Sequence, residues 1–188
     1  MPETIRVARR TIDSPLGALI AGASPDGICL LEFPEPDRLE PQLAAIRRRL
    51  GCDFEEGDSV HLDHLQQELS AYFAGTLAQF TVPVVTRGTP FQERVWSELR
   101  QILYGQTRSY EDLARAIGAP GAPRAVGHAN GMNPVAIVVP CHRVINKNGG
   151  LGGYGGQLWR KEKLLQLEGA KTGGLKASGY LFGSLEKI

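Results

Sequence analysis

The chain has 188 residues, a formal charge of +1, 42% hydrophobic and 22% charged residues, the proportions of a soluble globular protein, which exclude disordered and fibrous classes. It has no run of eighteen apolar residues, and the start MPETIRVARR lacks the apolar stretch of a signal peptide, so neither a membrane span nor export is expected and the cytoplasm is the expected location. Cys29, Cys52 and Cys141 are far apart and form no C-x-x-C pair, which speaks against structural zinc and a disulfide framework.

The opening VARRTIDSPLGALIAGASPDGICLLEF alternates β-prone runs with Ser-Pro-Leu-Gly and Pro-Asp-Gly turn signals, which predicts a small antiparallel sheet. Leu39, Leu43, Ile46 and Leu50 then recur at helical spacing and stop at Gly51. Leu62, Leu65, Leu69 and Tyr72 do the same between Asp58 and Gly75, so two amphipathic helices follow the sheet. FTVPVVTRGT, with Pro83 and Gly88, reads as an extended linker.

A second domain opens at Thr89-Pro90-Phe91-Gln92, which supplies an N-cap, a proline at the first helical position and a capping-box partner. Phe91, Val95, Leu99 and Ile102 give it one apolar stripe. Ser109 to Asp112 repeats the capping-box logic, Gly118 ends that helix, and Pro123 starts another that runs to about Asn130-Gly131. Two short helices around a glycine-containing turn form a helix-turn-helix candidate. Charge divides along the same line: residues 1–86 hold 7 Lys+Arg against 13 Asp+Glu, and residues 87–188 hold 14 against 7. A basic second half suits a polyanion such as DNA, although two solvated surfaces of accidental sign would read alike.

Val135 to Val139 is an unbroken apolar run that must be buried, and Pro140 stops it just before Cys141-His142-Arg143-Val144. An isolated cysteine is usually an inert buried hydrophobe. One delivered to the edge of a core and followed at once by His and Arg sits where a thiolate is favoured.

Together these segments resemble the O6-alkylguanine-DNA alkyltransferases. The resemblance rests on Asn133-Pro134, the pentad Pro140-Cys141-His142-Arg143-Val144, Tyr154-Gly155-Gly156 and Glu168-Gly169, in order, with Ser109-Tyr110, Arg124-Ala125-Val126-Gly127 and Asp13-Ser14-Pro15-Leu16-Gly17 upstream. It covers nearly the whole chain except roughly the last eighteen residues. It implies an α+β fold: an RNase H-like domain over 1–86, a winged helix-turn-helix-like domain for DNA binding and alkyl transfer over 87–170, and a tail of unassigned role over 171–188.

The resemblance further implies DNA repair by irreversible, single-turnover transfer of the alkyl group from O6-alkylguanine, and to a lesser extent O4-alkylthymine, to Cys141. His142 and Glu168 would form a water-bridged relay that draws off the thiol proton, Asn133 would brace the cysteine's turn, and Tyr110 would stabilise the departing base. Val144, Tyr154, Gly155 and Gly156 would belong to the substrate pocket. Arg124 would fill the gap left by a flipped nucleotide, with Ala125 and Gly127 small enough for the minor groove, and Gln92 and Lys147 would touch phosphates. Some members carry serine at the place of Gly155, and the zinc positions of certain relatives read Ile5, Ala23 and Cys29 here. No metal and no cofactor are therefore expected. The expected partner is double-stranded DNA with an alkylated guanine, the expected state a monomer, with self-association on DNA left open. The alternative is a non-catalytic alkylated-base-binding protein, against which Cys141 argues; a thiol hydrolase would need an oxyanion hole for which the sequence offers no signature.

Overall fold

A computed structural model describes residues 4–170; the tail read as 171–188 lies outside the described residues. β1 (Ile5–Ile12), β2 (Leu19–Ser24) and β3 (Gly27–Glu32) form the expected antiparallel meander. After α1 (Pro36–Leu50), β4 (Cys52–Glu56) joins in parallel beside β1, giving the order β3-β2-β1-β4. The chain reverses after α1 at Gly51, whose φ of 62° is a conformation that glycine adopts without a Cβ clash. α2 (Val60–Phe73) follows, capped by the Ser59 side chain.

The two faces of the sheet are covered differently. Leu43 and Ile46 of α1 pack with Val7, Cys29, Leu30 and Cys52 in a small cluster. Leu62, Leu65, Leu69 and Tyr72 of α2 join a larger core with Leu19, Ile28 and Leu31, and that core continues without a break into the second half through Val95, Trp96, Leu99, Val126, Val139 and Leu164.

β3 lies at the edge of the sheet, and its free backbone groups are taken by two later segments. The linker binds first, through Ile28 N–H to the Pro83 carbonyl and Val85 N–H to the Ile28 carbonyl, both 2.8 Å. Residues 134–136 bind next, through Leu31 N–H to the Pro134 carbonyl (2.9 Å) and Ala136 N–H to the Leu31 carbonyl (2.8 Å). The apolar run ahead of Cys141 is thus fastened to the edge of the four-stranded sheet.

In the second half, α3 (Pro90–Leu99) starts with the full capping box of Thr89 and Gln92. β5 (Arg108–Ser109) leads into α4 (Tyr110–Ala116), which carries the Ser109–Asp112 capping box, and α5 (Pro123–Gly131) completes the helix pair. Trp96 Nε1 donates to the Ala129 carbonyl at 2.8 Å and locks α5 against α3. A 3₁₀ turn (Cys141–Arg143), β6 (Val144–Ile145) and α6 (Leu158–Leu167) follow, with β6 parallel to β5. Among the described residues no helix is long and apolar enough to cross a membrane.

Candidate active site

Cys141 is placed by a strained turn. The apolar run fixes residues 135–139 in the core, and the chain reverses at Ile137, buried with φ of 70°, a conformation that costs a β-branched residue about 1–3 kcal/mol unless its surroundings hold it. Asn133 does the holding. Its Oδ1 accepts from Val135 N–H (3.0 Å), and its Nδ2 donates to the Val139 carbonyl (2.8 Å). Asn130 Nδ2 reaches the Cys141 carbonyl at 3.4 Å. Asn133→Ala leaves the buried Val135 N–H unpaired, while the Val139 carbonyl keeps the Cys141 N–H at 2.8 Å, so a loss of about 1–3 kcal/mol is expected, read from the urea midpoint at unchanged slope.

His142 and Glu168 are both buried, and His142 Nε2 lies 2.8 Å from Glu168 Oε1. The same carboxylate accepts from Arg143 Nε (2.8 Å) and Nη2 (2.9 Å), from the Tyr72 hydroxyl (2.7 Å) and from Gly105 N–H (3.3 Å). Burial alone would raise its pKa, but the donors from His142 and Arg143 outweigh it and hold the carboxyl down to about 2. A permanently ionised Glu168 fixes the proton on Nε2 of His142. That leaves Nδ1 as the basic nitrogen, and it is buried with no hydrogen-bond partner among the described residues. Burial lowers the His142 pKa, against the pull of Glu168, and pushes the Cys141 thiol up, against the hydrogen bond with Asn133. The thiolate that the adjacent His and Arg suggested is therefore disfavoured at rest by burial: Cys141 stays a thiol and His142 a neutral imidazole.

Cys141 lines a cavity of about 550 Å³, within the size range of small-molecule sites. Tyr110, Arg124, Gly127, Asn133, Tyr154, Gly155 and Gly156 line it too. Tyr110 is pushed up to about 12, chiefly by burial and then by Cys141, so it remains a proton donor at neutral pH. Burial likewise keeps Tyr154 protonated, and its hydroxyl has no partner among the described residues.

Three other expected residues are arranged differently. Val144 does not reach the cavity: it is fully buried in β6, and its carbonyl is bound by Lys161. Gln92 is a buried cap residue whose Oε1 accepts from Thr89 N–H (2.9 Å) and Arg49 Nη2 (3.1 Å), so its oxygen is already engaged. Lys147 is exposed, in a separate concavity beside Arg108. Arg124 and Ala125 stand exposed on α5, while Gly127 faces the Tyr110 ring, 3.6 Å from where a Cβ would lie.

Sequence reasoning missed Tyr72 and Lys161, and it read Arg143 as a basic neighbour of the thiol, whereas its guanidinium binds Glu168. Lys161 Nζ is buried and donates to the carbonyls of Val144 and Leu151 (both 2.5 Å) and Gly153 (3.3 Å), which joins the cysteine segment to the loop bearing Tyr154. Burial depresses its pKa to about 8. Its position was a readable signal: Lys161, Leu164, Leu165 and Glu168 share one helical stripe, which puts a cation on an apolar face. No group of three or more His, Cys, Asp or Glu able to hold a metal occurs among the described residues.

Comparison with known proteins gives a consistent result. Residues 7–86 match the 6-O-methylguanine DNA methyltransferase ribonuclease-like domain, and residues 90–170 match the DNA binding domain of the same name. A methylated-DNA–protein-cysteine methyltransferase of Mycolicibacterium paratuberculosis is 50% identical over 161 residues, 85% of this chain and 90% of that one. One from Salmonella typhimurium is 44% identical over 168 residues, 88% and 97% of the two chains. Among solved structures, the O6-methylguanine methyltransferase of Mycobacterium tuberculosis superposes with a TM-score of 0.73 at 47% identity, covering 87% of this chain and 93% of that one. A structure of the Mycobacterium tuberculosis protein in complex with DNA gives 0.72 at 44% identity, covering 89% and 93%.

Proposed function

The chain belongs to the 6-O-methylguanine DNA methyltransferase family, and we propose that Cys141 is the residue onto which it takes the alkyl group. Its activity is repair of DNA by alkyl transfer from methylated DNA to a protein cysteine. The observation that carries the assignment is one sulfur lining a cavity of about 550 Å³, borne by the residue next in the chain to a buried imidazole–carboxylate pair.

In the step itself the sulfur attacks the alkyl carbon on guanine O6. A C–S bond forms as the C–O bond breaks, and its electron pair leaves on the base. The thiol proton goes to Nδ1 of His142 through a bridging water, and the resulting imidazolium is held by Glu168, which has no role in holding the base. The Tyr110 hydroxyl donates a proton or a hydrogen bond to the departing guanine. Cavity position supports that role, as it does contact of the Tyr154-Gly155-Gly156 loop with O6. A thioether offers no easy leaving group, so each chain reacts once. O4-alkylthymine fits the same displacement as a lesser substrate.

The target base must leave the stack to reach a sulfur at the floor of a cavity, at a cost of a few kcal/mol. Arg124, exposed at the rim, is positioned to occupy its place, and the small Ala125 and Gly127 beside it suit entry of α5 into the narrow minor groove. Lys147 suits a phosphate contact, whereas the side chain of Gln92 would first have to leave its cap. The protein would act in the cytoplasm as a monomer, with residues 1–86 and 87–170 as its working halves.

Arg124→Ala is expected to change stability by no more than about 0.5 kcal/mol, since the side chain is exposed. It is expected to slow transfer from duplex DNA roughly 100-fold, the equivalent of the unstacking cost, while sparing transfer from a free alkylated base. Parallel single-turnover assays on the two substrates check this. The proposal as a whole is tested by counting label: with DNA carrying labelled O6-methylguanine, label should saturate near one per chain. Release of soluble label with turnover would instead indicate a hydrolase, and tight binding without transfer would indicate a lesion-binding protein.

A further inference from the structure

Part of the cavity wall comes from the end of β3 and the start of α1, and it is built around an ion pair. Arg38, on α1, donates through Nη2 to Glu32 Oε2 at 2.7 Å and through Nη1 to the Gly131 carbonyl at the end of α5 at 3.0 Å. Glu32 is 1% exposed, and its other oxygen accepts from Phe33 N–H at 3.0 Å. Both residues line the cavity with Cys141. Between its two anchors the guanidinium crosses Gly155, so closely that a Cβ there would fall 1.9 Å from Arg38 Cζ. Arg38 therefore occupies the space that a side chain at position 155 would fill. Arg38 and Glu32 share that cavity with the sulfur, and their charges act on the Cys141 thiol in opposite directions.

We propose that Arg38 is a specificity-determining residue: with Glu32 it forms a side-chain bar across Gly155 that limits the size of the alkyl group presented to Cys141. The inference rests on the reading of Cys141 as acceptor. Because the bar is the far end of a flexible side chain and not backbone, it is removable by substitution without rebuilding the loop. It also gives Gly155 a role: any larger residue there displaces Arg38 and opens the same wall.

The test compares single-turnover rate constants for duplex DNA carrying O6-benzylguanine and O6-methylguanine, with the modified peptide identified in each case. Arg38→Ala and Gly155→Ser should each raise the benzyl-to-methyl ratio by about tenfold or more, the scale on which pocket contacts discriminate substrates. Arg38→Ala strands the Glu32 carboxylate, so the double variant Glu32→Gln with Arg38→Ala is measured beside it and should raise the ratio equally. If both rates fall together and the ratio stays constant in all three, Arg38 only joins the two halves and the proposal is overturned. If the native protein carries alkyl on a residue other than Cys141, the site reading fails and takes this inference with it.

Discussion

Cys141→Ala is expected to reduce alkyl transfer to the uncatalysed background while leaving the fold and duplex binding in place. No other thiol can substitute. Cys29 and Cys52 lie in the separate cluster beneath α1, and Cys29 is pushed up to about 12, first by burial and then by Cys52, so it does not ionise at neutral pH. The substitution removes one sulfur from a site that already opens on a cavity, so the stability change should stay within about 1–2 kcal/mol. Label transfer and equilibrium binding to an O6-methylguanine duplex, measured on the same preparation, check both halves of this. Transfer persisting above background would remove the nucleophile from the account.

The second large effect is at Glu168. Glu168→Gln keeps the volume but removes the charge that five donors share, and its amide sets N–H against the Arg143 guanidinium. Breaking a buried pair on one side leaves the other charge stranded, so a loss of about 3–5 kcal/mol is expected. With His142 no longer held in its tautomer or stabilised as imidazolium, transfer should slow by about 10²- to 10⁴-fold.

The pH dependence follows in sign. The Glu168 carboxyl titrates near 2 in the fold against a usual 4.5, so its contribution is fully present above 4.5 and is lost as pH falls toward 2. The shift corresponds to roughly 3 kcal/mol. Native protein should therefore lose thermal stability over that interval, and the variant should lack this component. Thermal melts of both from pH 6 down to pH 2 check it; parallel profiles would mean that the carboxylate is not held as described.

Much of this was readable in the chain because local signals agreed with the fold. The capping boxes at Thr89 and Ser109, the stop at Gly51 and the start at Pro123 each rest on backbone groups within a few residues, and each element begins or ends there. The pentad around Cys141 pointed to the proposed nucleophile and its imidazole for the same reason, since the two are adjacent. β4 was not legible: CDFEE has one large apolar residue, and its pairing with β1 is a tertiary choice made after α1 turns the chain back. Tyr72 read as one member of an apolar stripe, because the carboxylate that its hydroxyl meets is 96 residues away. Arg38 gave no signal in the chain for the same reason, its Gly131 partner being 93 residues on. Val144 was assigned to the pocket by its place in the pentad, but it follows a 3₁₀ turn that sends it into the core instead.

The central claim is that the alkyl carbon ends on the sulfur of Cys141. Reacting the full chain with duplex DNA carrying isotopically labelled O6-methylguanine, then digesting it and sequencing the peptides by mass spectrometry, reads that atom's destination directly. The account predicts one labelled methyl per chain, confined to the peptide that contains Cys141 and stable to further incubation. Label on Cys29, Cys52 or any other residue, or a modified Cys141 that returns to the free thiol, would contradict it.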